Sequence, residues 1–432
     1  MLKKLRFRKL FCVMAVAAAV GSWGGFAAAA PGKMTAATPA PLPASLGPYL
    51  QNPAADGMTV CFLTQTGAEN VRVLWSRKGD TGKPAETTAA KCTAIPGTPW
   101  TIWKARLTAL QAGADYEYHV RQVREKAEVA TPNFRFHAMD PHAKTFRAAF
   151  FNDIHNREAT LAAVMKNVKP EDYEMTFLLG DMWTNPSTSK GADQVFRTME
   201  AYIRLLDAAE KPMILVRGNH ETIGGFAKTM AYLFDFPGLD ATAGEFDQQW
   251  QFTLQPGPVW FMGLDGGDDF IKRIEKFQPM RQRQAEWMKG VLARKDGAGC
   301  WRILLVHMPI YNDNCWTSEP CRQVWEPVLT GAGIDLEISG HEHNLCKLLP
   351  KGKTYEIIFN GHYPDQQDPQ QRKKWSCTLA WPVLIGGGPA LKGGEAGEVK
   401  LMNVDEKTLT VRCLGIQSDK PISTVMFDTK AH

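Results

Sequence analysis

The sequence has no Cys-x-x-Cys pair, no low-complexity tract, no internal repeat of consequence and, beyond its first thirty residues, no uninterrupted apolar run long enough to span a bilayer. Each absence removes a class of protein. Without cysteines at finger spacing, a structural zinc–thiolate site is not expected. Without a second long apolar run, no membrane span is expected after the leader. Acid is also missing from one place: the first thirty residues, "MLKKLRFRKLFCVMAVAAAVGSWGGFAAAA", carry Lys3, Lys4, Arg6, Arg8 and Lys9 and no Asp or Glu. A basic start, an apolar stretch and a small-residue end have the layout of a secretory signal peptide over 1–30, cleaved near Ala28 to Ala30. Removing those five cations takes the formal charge from +5 to 0. The basicity therefore lies in the leader, and no nucleic-acid-binding surface is evident. The mature chain is expected to be secreted or periplasmic, with its oligomeric state open.

Eight cysteines follow the leader, and an exported compartment permits disulfides. Cys61 and Cys92 stand alone in the N-terminal part, so if they bridge, they are expected to bridge each other. Cys315 and Cys321 are placed to close a short loop.

Two kinds of patterning divide the 432 residues. Over 43–139, short alternating runs such as "MTVCFLTQ" (58–65), "VRVLWSR" (71–77) and "NFRFHA" (133–138) are separated by turns. Tyr116 follows a Leu and a Gly-containing turn, the placement of a tyrosine corner. This reads as an all-β sandwich of the fibronectin type III kind. Over 145–428 the pattern becomes strand, polar loop, helix. Strand-like runs lie at 146–151, 175–180, 213–218, 259–264, 302–306, 334–339, 356–360 and 382–387, with amphipathic stretches at 160–168, 193–210 and 283–294. That alternation implies an α/β layered core, with ligands gathering at the carboxyl ends of the strands. A hairpin over 398–415 closes the sheet.

Polar residues follow five of those runs. "FFNDIHN" delivers Asp153 and His155, "LLGDMW" Asp181, "VRGNHE" Asn219 and His220, "LLVHMP" His307, and "SGHEHN" His341 and His343. In an extended segment residues two apart point the same way, so Asp153 with His155, and His341 with His343, reach one cavity. Carboxylate, imidazole and amide donors suit a pair of hard or borderline divalent ions, and Asp181, alone at its strand end, is the natural bridge. A single histidine at a strand end is more often a hydrogen-bonded structural residue. Five of them with two aspartates and an asparagine are hard to explain so. His119, His137, His142, His362 and His432 lack such company, and Asp265 after "FMGL" is read as structural. Gly218 permits a tight turn, Gly224 and Gly225 leave the next loop room to move, and Glu221 is either an orienting partner or solvated.

Asp-x-His, Gly-Asp, Gly-Asn-His-Glu, an isolated His and Gly-His-x-His, in this order over roughly 145–390, resemble the calcineurin-like metallophosphoesterases. The resemblance implies an αββα sandwich holding two divalent ions (Fe, Mn or Zn). One would be held by Asp153, His155, Asp181 and His343, the other by Asp181, Asn219, His307 and His341. His220 would bind no metal and would face the phosphate. The upstream region, with "GPYLQNPAADGMTVCFLTQ", resembles the N-terminal domain of purple acid phosphatases. Those enzymes carry a tyrosinate ligand three residues after the Gly-Asp aspartate; here that residue is Thr184, while His155 is an extra candidate ligand. The resemblance therefore implies a conventional rather than a purple centre, hydrolysing small phosphate esters by metal-activated hydroxide and acting as a phosphatase on monoesters. The alternatives are a phosphodiesterase on nucleotide-like or lipid-derived diesters, and a secreted binding protein with a vestigial phosphoesterase domain. Loops 181–193 and 308–321 form the expected rim, where Trp183, Tyr311 and Trp316 either stack on a base or sugar or pack the loops. Arg157 either holds a phosphate or starts a helix in solvent.

Overall fold

The computed structural model describes residues 42–65, 67–80, 86–186, 192–269, 271–311, 315–348, 355–360, 380–388, 397–416, 419–428 and 430. The leader, His362, His432 and Cys377 lie outside the described residues, as do the side chains of Cys315, Trp316 and Cys346.

The N-terminal part of the described chain, Ser45 to His137, is two stacked antiparallel sheets. One orders Ser45–Ala54, Gly57–Gln65, Trp100–Thr108 and Lys91–Ala94; the other orders Glu86–Ala89, Ala68–Arg77, Asp115–Arg124 and Ala127–Ala130, with Phe134–His137 also pairing to 115–124. Alternation in 115–124 turns Tyr116, Tyr118 and Val120 inward onto Val60, Phe62 and Trp75. The Tyr116 hydroxyl accepts the Gln111 N–H at 2.8 Å, as a tyrosine corner does. Cys61 and Cys92 are both free. They sit on the two strands that flank 100–108, opposite Lys104 and Trp103, respectively. Two strand spacings, roughly 9–10 Å, separate those strands, beyond the roughly 7 Å reach of a disulfide. Cys321 is also free, buried in a helix rather than closing a loop.

The remainder is an αββα sandwich. Its first sheet runs Met213–Leu215, Met175–Leu178, Thr145–Phe151, Glu398–Asp405, Leu409–Gly415 and Pro421–Phe427, parallel across the first three and antiparallel after them. The second runs Phe252–Leu254, Val259–Leu264, Trp301–Val306, Leu336–Ser339, Val383–Ile385, Asn344–Leu348 and Tyr355–Asn360, with a parallel centre. The sheets meet through aromatic side chains: the ring of Phe261 lies 4.7 Å from that of Phe177 and 6.2 Å from that of Phe150. Helices Glu158–Met165 and Ala192–Leu205 accompany the first sheet, and Ile271–Ala293 and Cys315–Leu329 the second.

All eight expected strands are present, and the 398–415 hairpin joins the first sheet but does not close it, since an unexpected strand, Pro421–Phe427, pairs outside it. The Cys315–Leu329 helix occupies part of the stretch expected as rim loop. Its prolines, Pro320 and Pro327, read as breakers, yet Cys321, Trp325 and Leu329 recur at four-residue spacing and are buried. Packing of that stripe outweighs the lost backbone bonds. Among the described residues no helix is long and apolar enough to cross a membrane.

Candidate metal centre

The parallel strands of both sheets end on one rim, and the eight candidate side chains meet there. Asp153 and His155 leave the 145–151 strand through a loop pinned to its neighbour: the Asp153 N–H donates to Gly180 O and the His155 N–H to Asp181 O, each at 2.9 Å. Both residues are left-handed (φ 53° and 51°), as are Asp181 (55°), His341 (72°) and His343 (53°). The pairs therefore reach the cavity from tight left-handed loops, not from the extended strand that the i, i+2 argument assumed. Backbone held in a sparsely populated region at five clustered positions is typical of a functional site.

Three groups of candidate ligand atoms result, each within 4.8 Å: Asp153 with His155 and His343, Asp181 with His307 and His341, and, overlapping both, His155 with Asp181 and His220. In the first, His343 Nε2 lies 3.0 Å from Asp153 Oδ1 and 3.3 Å from His155 Nε2. In the second, His307 Nε2 lies 3.2 Å from Asp181 Oδ1 and 3.1 Å from Asn219 Oδ1, and His341 Nδ1 lies 3.2 Å from that amide oxygen. Asp181 joins the groups, its Oδ2 facing His155 Nε2 at 3.8 Å.

This donor set fits cations. Asp153 Oδ1 is buried and accepts no aligned hydrogen bond, whereas its Oδ2 takes the Asn152 side-chain amide at 2.6 Å and the His341 N–H at 2.9 Å. Burial pushes the Asp153 carboxyl up, but His343, His307 and His155 outweigh it and hold it well below its usual range. Burial likewise raises Asp181, and His307 brings it down to about 2. Burial drives His155 and His341 down to about 4, so both rings are neutral near pH 7. His307 goes the other way: burial lowers it, but Asp181 and Asp153 hold it up at about 10. Its proton balances two buried carboxylates, a task a divalent ion performs better.

His220 lies beside the overlapping group, its ring 4.7 Å from that of His155. It is the most exposed of the eight, with 30 % of its side chain accessible. Its Nδ1 lies 2.7 Å from Asn185 Oδ1, so Nδ1–H donates to that oxygen and Nε2 faces the cavity, 3.8 Å from Asp181 Oδ2. Glu221 is fully buried, not solvated. It accepts the N–H groups of Asp181 and Gly218 at 2.8 Å and of Trp183 at 3.1 Å. Burial, with Asp181 beside it, pushes Glu221 up to about 7. Gly218 matters for close approach: a Cβ there would lie 2.3 Å from Asp181 Oδ1.

Several weighed residues take structural places. Asp265 is paired with buried Arg217, whose Nε donates at 2.8 Å. Trp183 and Tyr311 are buried; Trp183 Nε1 donates to Val195 O and the Tyr311 hydroxyl to Glu326. They pack the loops and offer no stacking face. Arg157 precedes the 158–165 helix, His137 pairs with Asp115, His142 bonds its N–H to Asp140, and His119 accepts from Arg121. Three supports went unread in the sequence: Asn185 on His220, Asp269 on Asn219, and a buried chain in which Lys400 pairs with Glu398 at 2.8 Å and donates to Asn152. Of these, only Asp269 had a signal, since "GLDGGDD" is another strand end rich in aspartate.

Residues 146–345 match the family model for calcineurin-like phosphoesterases. The chain thus carries a calcineurin-like phosphoesterase domain and is a metal-dependent phosphoric ester hydrolase of the kind that uses a dinuclear centre. Its fold is that of a purple acid phosphatase from yellow lupin (Lupinus luteus) seeds, with a TM-score of 0.64 at 15 % identity over 89 % of this chain and 74 % of that one. A conserved uncharacterized protein of Streptococcus pneumoniae, described as a predicted phosphoesterase, aligns with 66 % of this chain and 99 % of its own at 11 % identity. Its TM-score of 0.30 is too low to bear on the fold. No curated protein matches the chain in sequence.

Proposed function

We propose that the mature chain is a secreted dinuclear-metal phosphatase that hydrolyses small phosphate monoesters. The observation that carries this reading is the bridging geometry of Asp181, with one oxygen toward each group of ligand atoms and the accessible His220 beside it. Asp153, His155, Asp181 and His343 would hold the first ion; Asp181, Asn219, His307 and His341 would hold the second. When bound, the ions supply Lewis acidity that activates water and offsets phosphoryl charge. Fe, Mn or Zn suits the nitrogen and oxygen donors. Thr184, where purple acid phosphatases carry their tyrosinate, is exposed, which favours a centre without that chromophore.

The chain's own groups do the rest. Glu221 fixes the backbone that presents Asp181. His220, with Nδ1–H committed to Asn185, offers Nε2 to the leaving group, where a proton or positive charge offsets the developing oxyanion. The leader-like first thirty residues support secretion. Because Trp183 and Tyr311 face inward, these two rim aromatics give a nucleoside nothing to stack on, which favours monoesters over nucleotide-like diesters. Hydrolysis of p-nitrophenyl phosphate against bis(p-nitrophenyl) phosphate tests this. The monoester should be cleaved with the higher kcat/KM; a preference for the diester would reverse the substrate class. Inactivity on both with two ions bound would favour a binding role.

A further inference from the structure

Resting on the two-ion reading, we infer that Asp269 is a positioning residue for the second metal site, bracing two of its ligands from behind. The loop that carries it lies alongside the Gly-Asn-His-Glu segment and is joined to it at three levels. Arg217 Nε donates to Asp265 at 2.8 Å, Thr222 Oγ1 donates to Asp268 at 3.2 Å, and Asn219 Nδ2 donates to Asp269 Oδ1 at 3.1 Å. Arg273 secures the arrangement by pairing with Asp268 at 3.1 Å and donating to Thr222 O at 2.7 Å. The aspartate after the 259–264 strand is thus delivered to the same rim as the other strand ends.

The consequence for Asn219 follows from its chemistry. A side-chain amide has a donor end and an acceptor end, and only the oxygen binds a cation. With Nδ2 committed to the Asp269 carboxylate, Oδ1 must face His307 Nε2 and His341 Nδ1, where the ion would sit. The other carboxylate oxygen of Asp269 stands 3.5 Å from His341 Nε2, the nitrogen opposite the one turned to the cavity. A ligand histidine whose outer N–H faces a carboxylate keeps its tautomer and gains basicity, and loss of such a partner typically costs about 10–100-fold in metal affinity. Nothing equivalent joins Asp269 to Asp153, His155 or His343, so its effect should be confined to one of the two ions.

Metal-free wild type, Asp269→Ala and Asp269→Asn should be titrated with Mn2+ by calorimetry, with metal content after dialysis and the melting temperature of the metal-free form measured in parallel. Wild type should bind two ions. Asp269→Ala should bind the first unchanged and the second about 10–100-fold more weakly, retaining one ion after dialysis, with its metal-free melting temperature unmoved. Asp269→Asn, which keeps an acceptor for Asn219 but no charge for His341, should fall between. Two unchanged affinities in Asp269→Ala would overturn the inference and leave the two-ion reading standing. Equal weakening of both ions, or a lowered metal-free melting temperature, would overturn it in favour of a role in folding. Fewer than two ions in wild type would overturn both.

Discussion

At the scale of residues, the proposed function assigns the holding of charge and the moving of a proton to different groups. Asp153 and Asp181 are buried and ionised, His155 and His341 are half-buried and neutral, and His220 is more accessible beside them. Replacing His220 with Ala should lower kcat by about 10²–10⁴-fold, the usual worth of a general acid, while both ions stay bound. Single-variant kinetics with metal analysis checks this; loss of an ion in His220→Ala would instead make His220 a ligand. The eight side chains were legible because each follows a buried apolar run ending at the same rim. Glu221 was not, since an acid beside two functional residues reads equally as solvated or buried. Its three backbone N–H partners come from Asp181, Trp183 and Gly218, and two of them lie about forty positions away in sequence. Such contacts exist only after the strands have paired.

At the scale of elements, strand positions and the hairpin followed from periodicity, but the loops did not. Five candidate ligands with positive φ show that the site is set by left-handed turns, which non-glycine residues adopt only under tertiary constraint. Gly224 shows the same limit. Its position beside Gly225 reads as flexibility, yet it has φ +97° and a Cβ on it would come within 1.8 Å of Pro186 O. It permits close contact between the Gly-Asn-His-Glu segment and the loop that carries Asn185, so it tightens the seat of His220. Gly224→Ala should destabilise the protein by roughly 1–3 kcal/mol or more, from strained φ together with overpacking, and should lower kcat by loosening the Asn185–His220 contact. Thermal melts and kinetics read both effects; a variant with unchanged stability and turnover would show that this contact is dispensable.

At the scale of the whole molecule, the sandwich and the α/β part are joined by buried polar contacts as well as apolar ones. The Tyr49 hydroxyl donates to Leu233 O at 2.8 Å, the Tyr118 hydroxyl to Ala209 O at 2.6 Å, and the Leu50 N–H to Ala208 O at 2.8 Å. The described residues accordingly form one compact unit, although two patterns are visible in the sequence. Tyr118→Phe, which orphans the Ala209 carbonyl, should cost on the order of 1–2 kcal/mol and shift a single cooperative transition downward in calorimetry. Two separated transitions would show that sandwich and α/β part unfold independently. Sequence patterning could not anticipate this junction, because its polar contacts use tyrosines and backbone carbonyls that carry no periodic signal.

If one aspartate links two ions, its loss should release both, and the metal content of wild type beside Asp181→Asn decides this. Wild type, dialysed and analysed by mass spectrometry, should hold two divalent ions per chain. Asp181→Asn, which removes the charge shared by both groups, should lose most of that metal along with hydrolysis of p-nitrophenyl phosphate. Two ions and full turnover retained in Asp181→Asn would show that Asp181 does not link them.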